Sequence, residues 1–163
     1  MKRCLAAVLI LFKTTLIFAR SLDNKLNKME SISLQQLRIV EDTLSQIIES
    51  IGNLEEWNAL FTEARDFHLT PEGVKTLAAD CMMIEAIGEG IKRIDERTKG
   101  QLLPIRPEIE WKDIIGMRNH IAHGYFEINS NLVWDVLKND LQPLREATEY
   151  FKDHLYEIFP FEE

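Results

Sequence analysis

One short segment of the sequence holds most of the side chains that could carry out chemistry. It contains Arg118, Asn119, His120, His123 and Tyr125. An imidazole can move protons near neutral pH, and a guanidinium can bind a phosphate and stabilise its developing charge. These groups suit the cleavage of phosphodiesters. RNA is the natural substrate, because its 2′-hydroxyl lies beside the scissile phosphate and needs only a base or a positioning group to attack it.

A metal site is a second interpretation of the same segment. His120 and His123 are three residues apart and would share a face of a helix, so a metal pair is conceivable. However, no Cys, Asp or Glu stands at a complementary spacing. Cys4 and Cys81 are far apart and match no disulfide or metal pattern, and Cys81 is expected to be a buried apolar residue. The sequence therefore predicts no metal site and no cofactor.

A purely structural role is a third interpretation. Arg118 could pair with one of the many surface acids, the histidines could be core or capping residues, and Tyr125 could cover the end of a bundle. Arg118 and His123 are five residues apart, which separates them by roughly 140° on an ideal helix. They can serve one site if His123 lies at a frayed helix end beside Gly124. Alternatively, a two-fold related chain brings a second copy of the motif across an interface.

The segments around this motif show helical periodicity, and none has the sustained alternation typical of strands. Ser33 and Gln36 have the spacing of a capping box, Gly52 is expected to end the first helix, and Thr70 followed by Pro71 predicts the start of a long one. The predicted fold class is all-α, a compact up-and-down bundle of four to five helices. The predicted helices span 33–52, 55–67, 71–97, 111–123 and 131–151, with the main loop at 100–107 and a bend or break at Pro143.

Charge is unevenly distributed along the 163 residues, which are enough for one domain. Residues 1–28 carry six basic groups and one acidic group, so the rest of the chain holds 13 basic and 26 acidic groups, a net charge of −13. Nucleic-acid affinity comes largely from Lys and Arg that neutralise phosphates. An RNA substrate would therefore need a local positive cleft, and the alternative is a protein whose main partner is another protein.

The first 28 residues differ from the rest in charge and pattern. Their basic start and apolar stretch resemble a secretory signal, but Lys13 interrupts the apolar run, and neither half approaches the ~20 residues of a membrane span. Three interpretations stay open: a translation start at Met29, an extra N-terminal helix, or a true signal. We divide the chain into an extension at 1–28 and a domain at 29–163, and expect no membrane insertion and a cytoplasmic location.

Several segments in sequence order resemble the HepT-like branch of the HEPN superfamily. The signature is Arg118-x4-His123-x-Tyr125, with polar Asn119 directly after the arginine. The stretch 84–89 is similar to the family's Ile-Gly-Glu helix, 107–111 to its Pro-Glu-Ile-x-Trp entry, and 131–135 with 139–141 to its final helix. The resemblance extends from about Ser33 to Phe151. Such an ordered series is far more specific than an Arg-His motif alone.

The resemblance implies a homodimer whose two motifs face each other across a cleft and which acts as a metal-independent endoribonuclease. It further implies a toxin of a type VII toxin–antitoxin system. Its antitoxin would be a minimal nucleotidyltransferase that transfers AMP from ATP to the motif tyrosine and so silences the toxin. The alternative from a different class is a non-catalytic dimeric scaffold that binds the nucleotidyltransferase.

The resemblance also assigns roles to individual residues. Arg118 and His123 become the catalytic pair that acts on the RNA substrate, and Tyr125 becomes the AMPylation site. The supporting positions are Asn119, His120 and Glu89.

Overall fold

The first long helix begins and is capped as the sequence predicts. The computed structural model describes residues 32–123 and 129–160, and for residues 118–123 it describes the backbone alone. Helix α1 spans Leu34–Trp57. The Ser33 hydroxyl accepts a hydrogen bond from the Gln36 N–H at 3.3 Å, and the Gln36 side-chain oxygen accepts one from the Ser33 N–H at 3.3 Å. This capping box satisfies two N–H groups near the helix start.

The end of α1 lies beyond the predicted stop at Gly52, so that prediction is wrong. Ile51 and Leu54 on either side of the glycine are fully buried, and their packing outweighs the cost of about 1 kcal/mol for glycine inside a helix. The guanidinium of Arg145 lies 3.6 Å from the position that a Cβ at Gly52 would take. It pairs with Glu55 at 2.6 Å. Tertiary contacts therefore carry the helix through the glycine.

The second predicted helix, 55–67, is also wrong. Residues 55–57 belong to α1, and the chain then turns before a short helix, α2, at Asp66–Leu69. The Asp66 carboxylate accepts hydrogen bonds from the N–H groups of Thr62 at 2.7 Å and Glu63 at 3.1 Å, and these bonds lower its pKa. A side chain that binds nearby backbone in this way competes with helix formation. Phe67 is fully buried and anchors the turn.

Helix α3 is the longest described element and spans Pro71–Arg97, as predicted. The Thr70 hydroxyl accepts a hydrogen bond from the Gly73 N–H at 3.0 Å, and Pro71 occupies the first helical position, where its missing N–H costs nothing. Cys81 is buried, which confirms its predicted apolar role. Burial and the neighbouring Asp80 raise the pKa of its thiol to about 11.

Helix α4 spans Trp111–His123, as predicted. It follows a short 3₁₀ turn at Leu103–Ile105 within the loop after α3. Its expected stop at Gly124 lies outside the described residues. The remaining predicted helix, 131–151, is split: α5 spans Ser130–Asp135, a π-helical turn covers Val136–Asp140, and α6 runs over Leu141–Ile158.

The π-helical turn lies directly before Pro143. Proline has no N–H to donate to the carbonyl four residues earlier, and its ring crowds that carbonyl, so the regular α-helical ladder is interrupted there. The predicted break at Pro143 is therefore confirmed, and it takes the form of one wide π-helical turn between α5 and α6. The helix continues past Phe151, because Leu155 is fully buried and Phe159 nearly so.

The helices share one core, and the described residues form only helices and connecting turns, which confirms the all-α class. From Ile32 onward the chain is one compact unit. Helix α1 packs against both α3 and α6, and α4 packs on α3. No described helix is long and apolar enough to cross a membrane. The predicted boundary between residues 28 and 29 lies outside the described part. The fully buried core side chains include Leu37, Val40, Leu44, Phe67, Ile91, Ile94, Phe151 and Leu155.

Candidate active site

The motif residues that the structure describes lie on the last two turns of α4. Arg118, Asn119, His120 and His123 all have helical backbone. Arg118 and His123 are therefore on one helix, at positions that diverge by roughly 140°. Tyr125 lies outside the described residues, as do the side chains of the other four.

The start of α4 is held in place by Trp111. Its indole N–H donates a hydrogen bond to the carbonyl oxygen of Arg106 at 2.9 Å. Its ring stacks on Phe151 of α6 with 5.7 Å between centroids and 27° between planes. The Arg106 guanidinium pairs with Glu108 and lies 5.2 Å from the centre of the Tyr150 ring. These contacts fix the position and direction from which α4 carries the motif.

The chain that follows the motif is anchored at α5. The Asn129 side chain caps this helix by accepting hydrogen bonds from the N–H groups of Asn131 at 3.0 Å and Leu132 at 3.4 Å. A ring nitrogen of His68 lies 3.0 Å from the Ser130 hydroxyl, which ties α2 to the start of α5. Trp134 makes an edge-to-face contact with the buried Phe67 at 6.3 Å. The motif segment is thus preceded and followed by positioned elements.

A cavity of about 290 Å³ opens beside the motif helix. We call it the α4–α6 cleft, because α4 and the start of α6 form its two sides and α3 forms its floor. Its apolar lining lies mainly on these three helices and on the π-helical turn. Ile114 lines the cleft and Arg118 lies one turn further along the same face of α4. The apolar lining residues are Ile84, Ile87, Ile109, Ile114, Met117, Val136, Leu141, Pro143 and Leu144.

Four carboxylates line the same cleft: Glu108, Glu110, Asp113 and Asp140. Glu108 is paired with Arg106, and this hydrogen bond lowers its pKa. Partial burial, followed by the charge of Asp135, raises the pKa of Asp140. Within the described part of the chain, the side chains of Glu110, Asp113 and Asp140 make no hydrogen bond or ion pair. The cleft therefore offers acceptor groups above an apolar floor.

A metal site among the described side chains is not indicated, because nowhere do three His, Cys, Asp or Glu groups come close enough together to hold an ion. Glu89, predicted as a supporting residue, lies on α3 and accepts a hydrogen bond from Arg93 at 3.2 Å.

Many basic side chains are already paired with acids, so their charge is locally neutralised. Such exposed pairs contribute little to stability, but a paired cation attracts a phosphate less strongly than a free one. The described pairs are Arg65–Glu63, Lys75–Glu72, Lys92–Glu96, Arg93–Glu89, Arg106–Glu108, Arg145–Glu55 and Arg145–Glu149.

The acidic residues that line the cleft are not among the site residues predicted from the sequence. A local signal exists for part of the set: Glu110, Asp113, Ile114 and Met117 follow the i, i+3, i+4, i+7 spacing of one helix face, directly before Arg118. Asp140 has no such signal, because it belongs to the π-helical turn, which only the tertiary fold brings to the cleft.

Comparison with known proteins identifies the family. The family model described as "Ribonuclease HepT-like" matches residues 47–151. This range contains α4, the cleft and both anchors of the motif segment, and it ends at Phe151, where the predicted resemblance also ends. No solved structure is significantly similar to the chain.

Individual relatives carry ribonuclease names. The "Probable ribonuclease HepT" of Thermococcus cleftensis is 31% identical over 109 residues, which is 67% of this chain and 92% of that protein. Two Methanocaldococcus jannaschii proteins, "Putative RNase MJ0127" and "Putative RNase MJ1380", are 30% and 28% identical over 111 and 112 residues. These alignments cover 68% and 69% of this chain and 85% and 95% of the relatives. The chain therefore belongs to the HepT-like ribonuclease family of the HEPN type, and the prediction of a ribonuclease is confirmed at the level of the family.

Proposed function

We propose that the protein is a metal-independent endoribonuclease in which Arg118 and His123 form the catalytic pair. Family membership, together with the placement of both residues at the end of α4, carries this proposal. His123 moves the proton during attack of the RNA 2′-hydroxyl, and Arg118 binds the phosphate and stabilises its transition-state charge. Asn119 and His120, on the same turns of α4, and Glu89 of α3 are supporting residues.

The test is cleavage of RNA in the presence of EDTA. We expect wild-type protein to yield products with 2′,3′-cyclic phosphate, because the attacking group is the substrate's own hydroxyl. Arg118→Ala and His123→Ala should each lower the rate by at least 100-fold. Arg38→Ala and His154→Ala change the same residue types away from α4 and should cleave at the wild-type rate. Loss of cleavage with EDTA, or full activity of His123→Ala, contradicts this mechanism.

We further propose that the active species is a homodimer with composite sites. Positions 118 and 123 diverge on one helix, so an arginine of one chain and a histidine of its partner converge more readily than two from one chain. Ile115 of α4, which is not among the residues that line the α4–α6 cleft, is only half-buried within one chain, as expected of a helix that forms part of an interface.

Mixing two inactive variants distinguishes a composite site from an internal one. A heterodimer of Arg118→Ala and His123→Ala chains contains one site with both catalytic residues intact. We expect co-refolding of the two variants to restore about a quarter of the wild-type specific activity, because about half of the dimers are heterodimers and each has one of its two sites intact. Light scattering should give twice the chain mass. A strictly monomeric protein, or no recovery of activity in the mixture, rules out the composite site.

The biological role that we propose is that of a toxin in a type VII toxin–antitoxin system, held inactive by a nucleotidyltransferase. AMP on Tyr125, two residues past His123, would place a phosphate beside the Arg118 position, where it occupies the guanidinium and repels the RNA backbone. With the cognate nucleotidyltransferase, ATP and Mg²⁺, the peptide that contains Tyr125 should gain about 329 Da per AMP. Tyr125→Phe should gain nothing, while Tyr150→Phe should still be modified. Neutralisation without any mass change indicates steric blocking instead.

A non-catalytic scaffold that binds the nucleotidyltransferase is the second candidate function. The paired state of so many basic side chains and the net charge of −13 beyond residue 28 favour it. Expression in cells separates the two functions. A nuclease toxin harms growth, and Arg118→Ala relieves the harm, whereas a scaffold is harmless with or without the arginine.

A further inference from the structure

The α4–α6 cleft lies next to the proposed catalytic residues but has the wrong charge for an RNA backbone. Arg118 follows Ile114 by one helical turn, about 6 Å along the α4 axis, so a nucleotide whose phosphate is bound at Arg118 has its base within reach of the cleft. The carboxylates at the cleft repel phosphate. Arg118 therefore suits the phosphate of a nucleotide, and the α4–α6 cleft suits its base.

The size and chemistry of the cleft narrow the choice of occupant. A volume of about 290 Å³ is at the small end of ligand pockets and accommodates one planar group rather than a helix. The carboxylates are not grouped closely enough to hold a metal ion. An apolar lining that includes Ile84, Ile114 and Met117 suits the face of an aromatic ring. Glu110, Asp113 and Asp140 can only accept hydrogen bonds while ionised.

We propose that the α4–α6 cleft is a base-recognition subsite, which binds a nucleobase that carries an exocyclic amino group next to the scissile phosphate. This inference rests on the proposed ribonuclease function. Adenine, cytosine and guanine each present an amino group that a carboxylate can accept from, as in the recognition of cytosine N4 by Glu and Asp in DNA complexes. Uracil has no amino group, and its one donor on that edge, the N3–H, lies between two carbonyl oxygens that the carboxylates repel.

The consequence is a cleavage preference at one position. Each good pairing between a side chain and a base edge discriminates strongly against a wrong base. With a pool of oligoribonucleotides of random sequence, we expect uracil to be depleted about tenfold or more at one position flanking the cleaved bond. Sequencing both new ends of the products measures this depletion directly.

Conservative variants test which groups are responsible. Asp113→Asn and Asp140→Asn keep the shape of the side chain but add a donor that uracil can accept. We expect both variants to reduce the discrimination against uracil at least threefold, while products keep their 2′,3′-cyclic phosphate ends. Asp153→Asn, an exposed carboxylate on α6 outside the cleft, is the matched control and should keep the wild-type preference. Equal thermal melting of all four proteins shows that the variants fold.

The outcomes separate this inference from the function on which it rests. Cleavage without any base preference, or with a preference that both Asn variants leave intact, overturns the subsite but not the nuclease. The Asn variants could instead change the dimer dissociation constant and leave the base preference intact. That result would indicate that a second copy of the chain fills the cleft, and it also overturns the base-recognition subsite. Binding by fluorescence anisotropy, with 2′-O-methyl tetranucleotides that contain only adenine or only uracil, needs no catalysis. If the protein cleaves no RNA but binds the adenine oligonucleotide selectively, and Asp113→Asn abolishes that selectivity, the proposed nuclease function is refuted and the base-recognition subsite is supported.

Discussion

The two flanks of the bundle are built differently. Helix α1 lies between α3 and α6, and its inward side chains, such as Leu37, Val40 and Leu44, are fully buried. Helix α4 packs mainly on α3 and touches α6 through Trp111, so Ile114 and Met117 stay half-exposed. A helix with two partners contributes chiefly to stability, whereas a helix with one partner keeps a face for a ligand or a second chain.

Polar groups follow the same division. On the packed side, the Asn58 side-chain amide donates to the Leu54 carbonyl oxygen at 2.9 Å and to the Asp80 carboxyl at 3.0 Å, entirely inside the protein. At the α4–α6 cleft, Asp113 and Asp140 face solvent without a described partner. Polar groups on the packed side are committed to the fold, and those at the cleft are available for recognition.

The largest stability effect is expected where the two flanks meet. Phe151 is 1% exposed and supports Trp111 at the start of α4. Phe151→Ala should destabilise the protein by about 3–5 kcal/mol, the usual cost of deleting a buried aromatic ring. Met117→Ala, on the open flank, should cost less than about 1.5 kcal/mol, because the side chain is half-exposed. Urea unfolding of both variants measures the difference, and similar losses would show that α4 is as tightly packed as the core.

The buried acid on the packed side should make stability depend on pH. Burial raises the pKa of Asp80 to about 6, although the hydrogen bond from Asn58 opposes the shift. Asp80 is 0% exposed, and one oxygen of its carboxyl and the amide oxygen of Asn58 are buried with no described hydrogen-bond donor. A proton on Asp80 would supply that donor. The stabilising contribution of Asp80 is therefore complete below about pH 4, is lost as the pH rises through 6, and is then constant.

Asp80→Asn tests this assignment, because an asparagine carries the donor at every pH. At pH 8 we expect the variant to be more stable than wild type by roughly 2–3 kcal/mol, the equivalent of about two pKa units. At pH 4 the two proteins should have similar stability. The difference in free energy of unfolding between them isolates Asp80 from the other acids. A variant that is less stable than wild type at pH 8 would show that the ionised carboxylate is the stabilising form.

Substitutions at two glycines, one on each flank, should change stability by smaller amounts and in opposite directions. A Cβ at Gly90 of α3 would lie 3.1 Å from Cδ1 of the buried Ile47, whereas a Cβ at Gly116 of α4 would meet no described atom within 4 Å. We expect Gly116→Ala to stabilise by about 0.5–1 kcal/mol through helix propensity. Gly90→Ala should destabilise by about 1 kcal/mol, because overpacking outweighs that gain. Thermal melting should show shifts of opposite sign, and stabilisation by both changes would mean that the core yields easily near Ile47.

Helix starts were the most predictable part of this protein. The Ser33–Gln36 capping box, the Thr70–Pro71 start and the break at Pro143 all appear where the sequence places them. Each depends on hydrogen bonds or steric contacts within about one turn of the chain. The end of α1 was not predictable in this way, since burial of Ile51 and Leu54 overrides the glycine between them.

Some parts of the candidate site were likewise predictable from local sequence, and others were not. The motif on 118–125 and the family segments around it lie along the chain, so the sequence by itself determined the all-α class and the family, and it nominates the catalytic pair. Only the tertiary structure decided which distant residues share one place: Asp113 and Asp140 both line the α4–α6 cleft, and Asn58 binds Asp80 in the core. The physical reason is range. Capping, propensity and motif spacing act between near neighbours, whereas burial, pKa shifts and cavities arise where distant helices pack together.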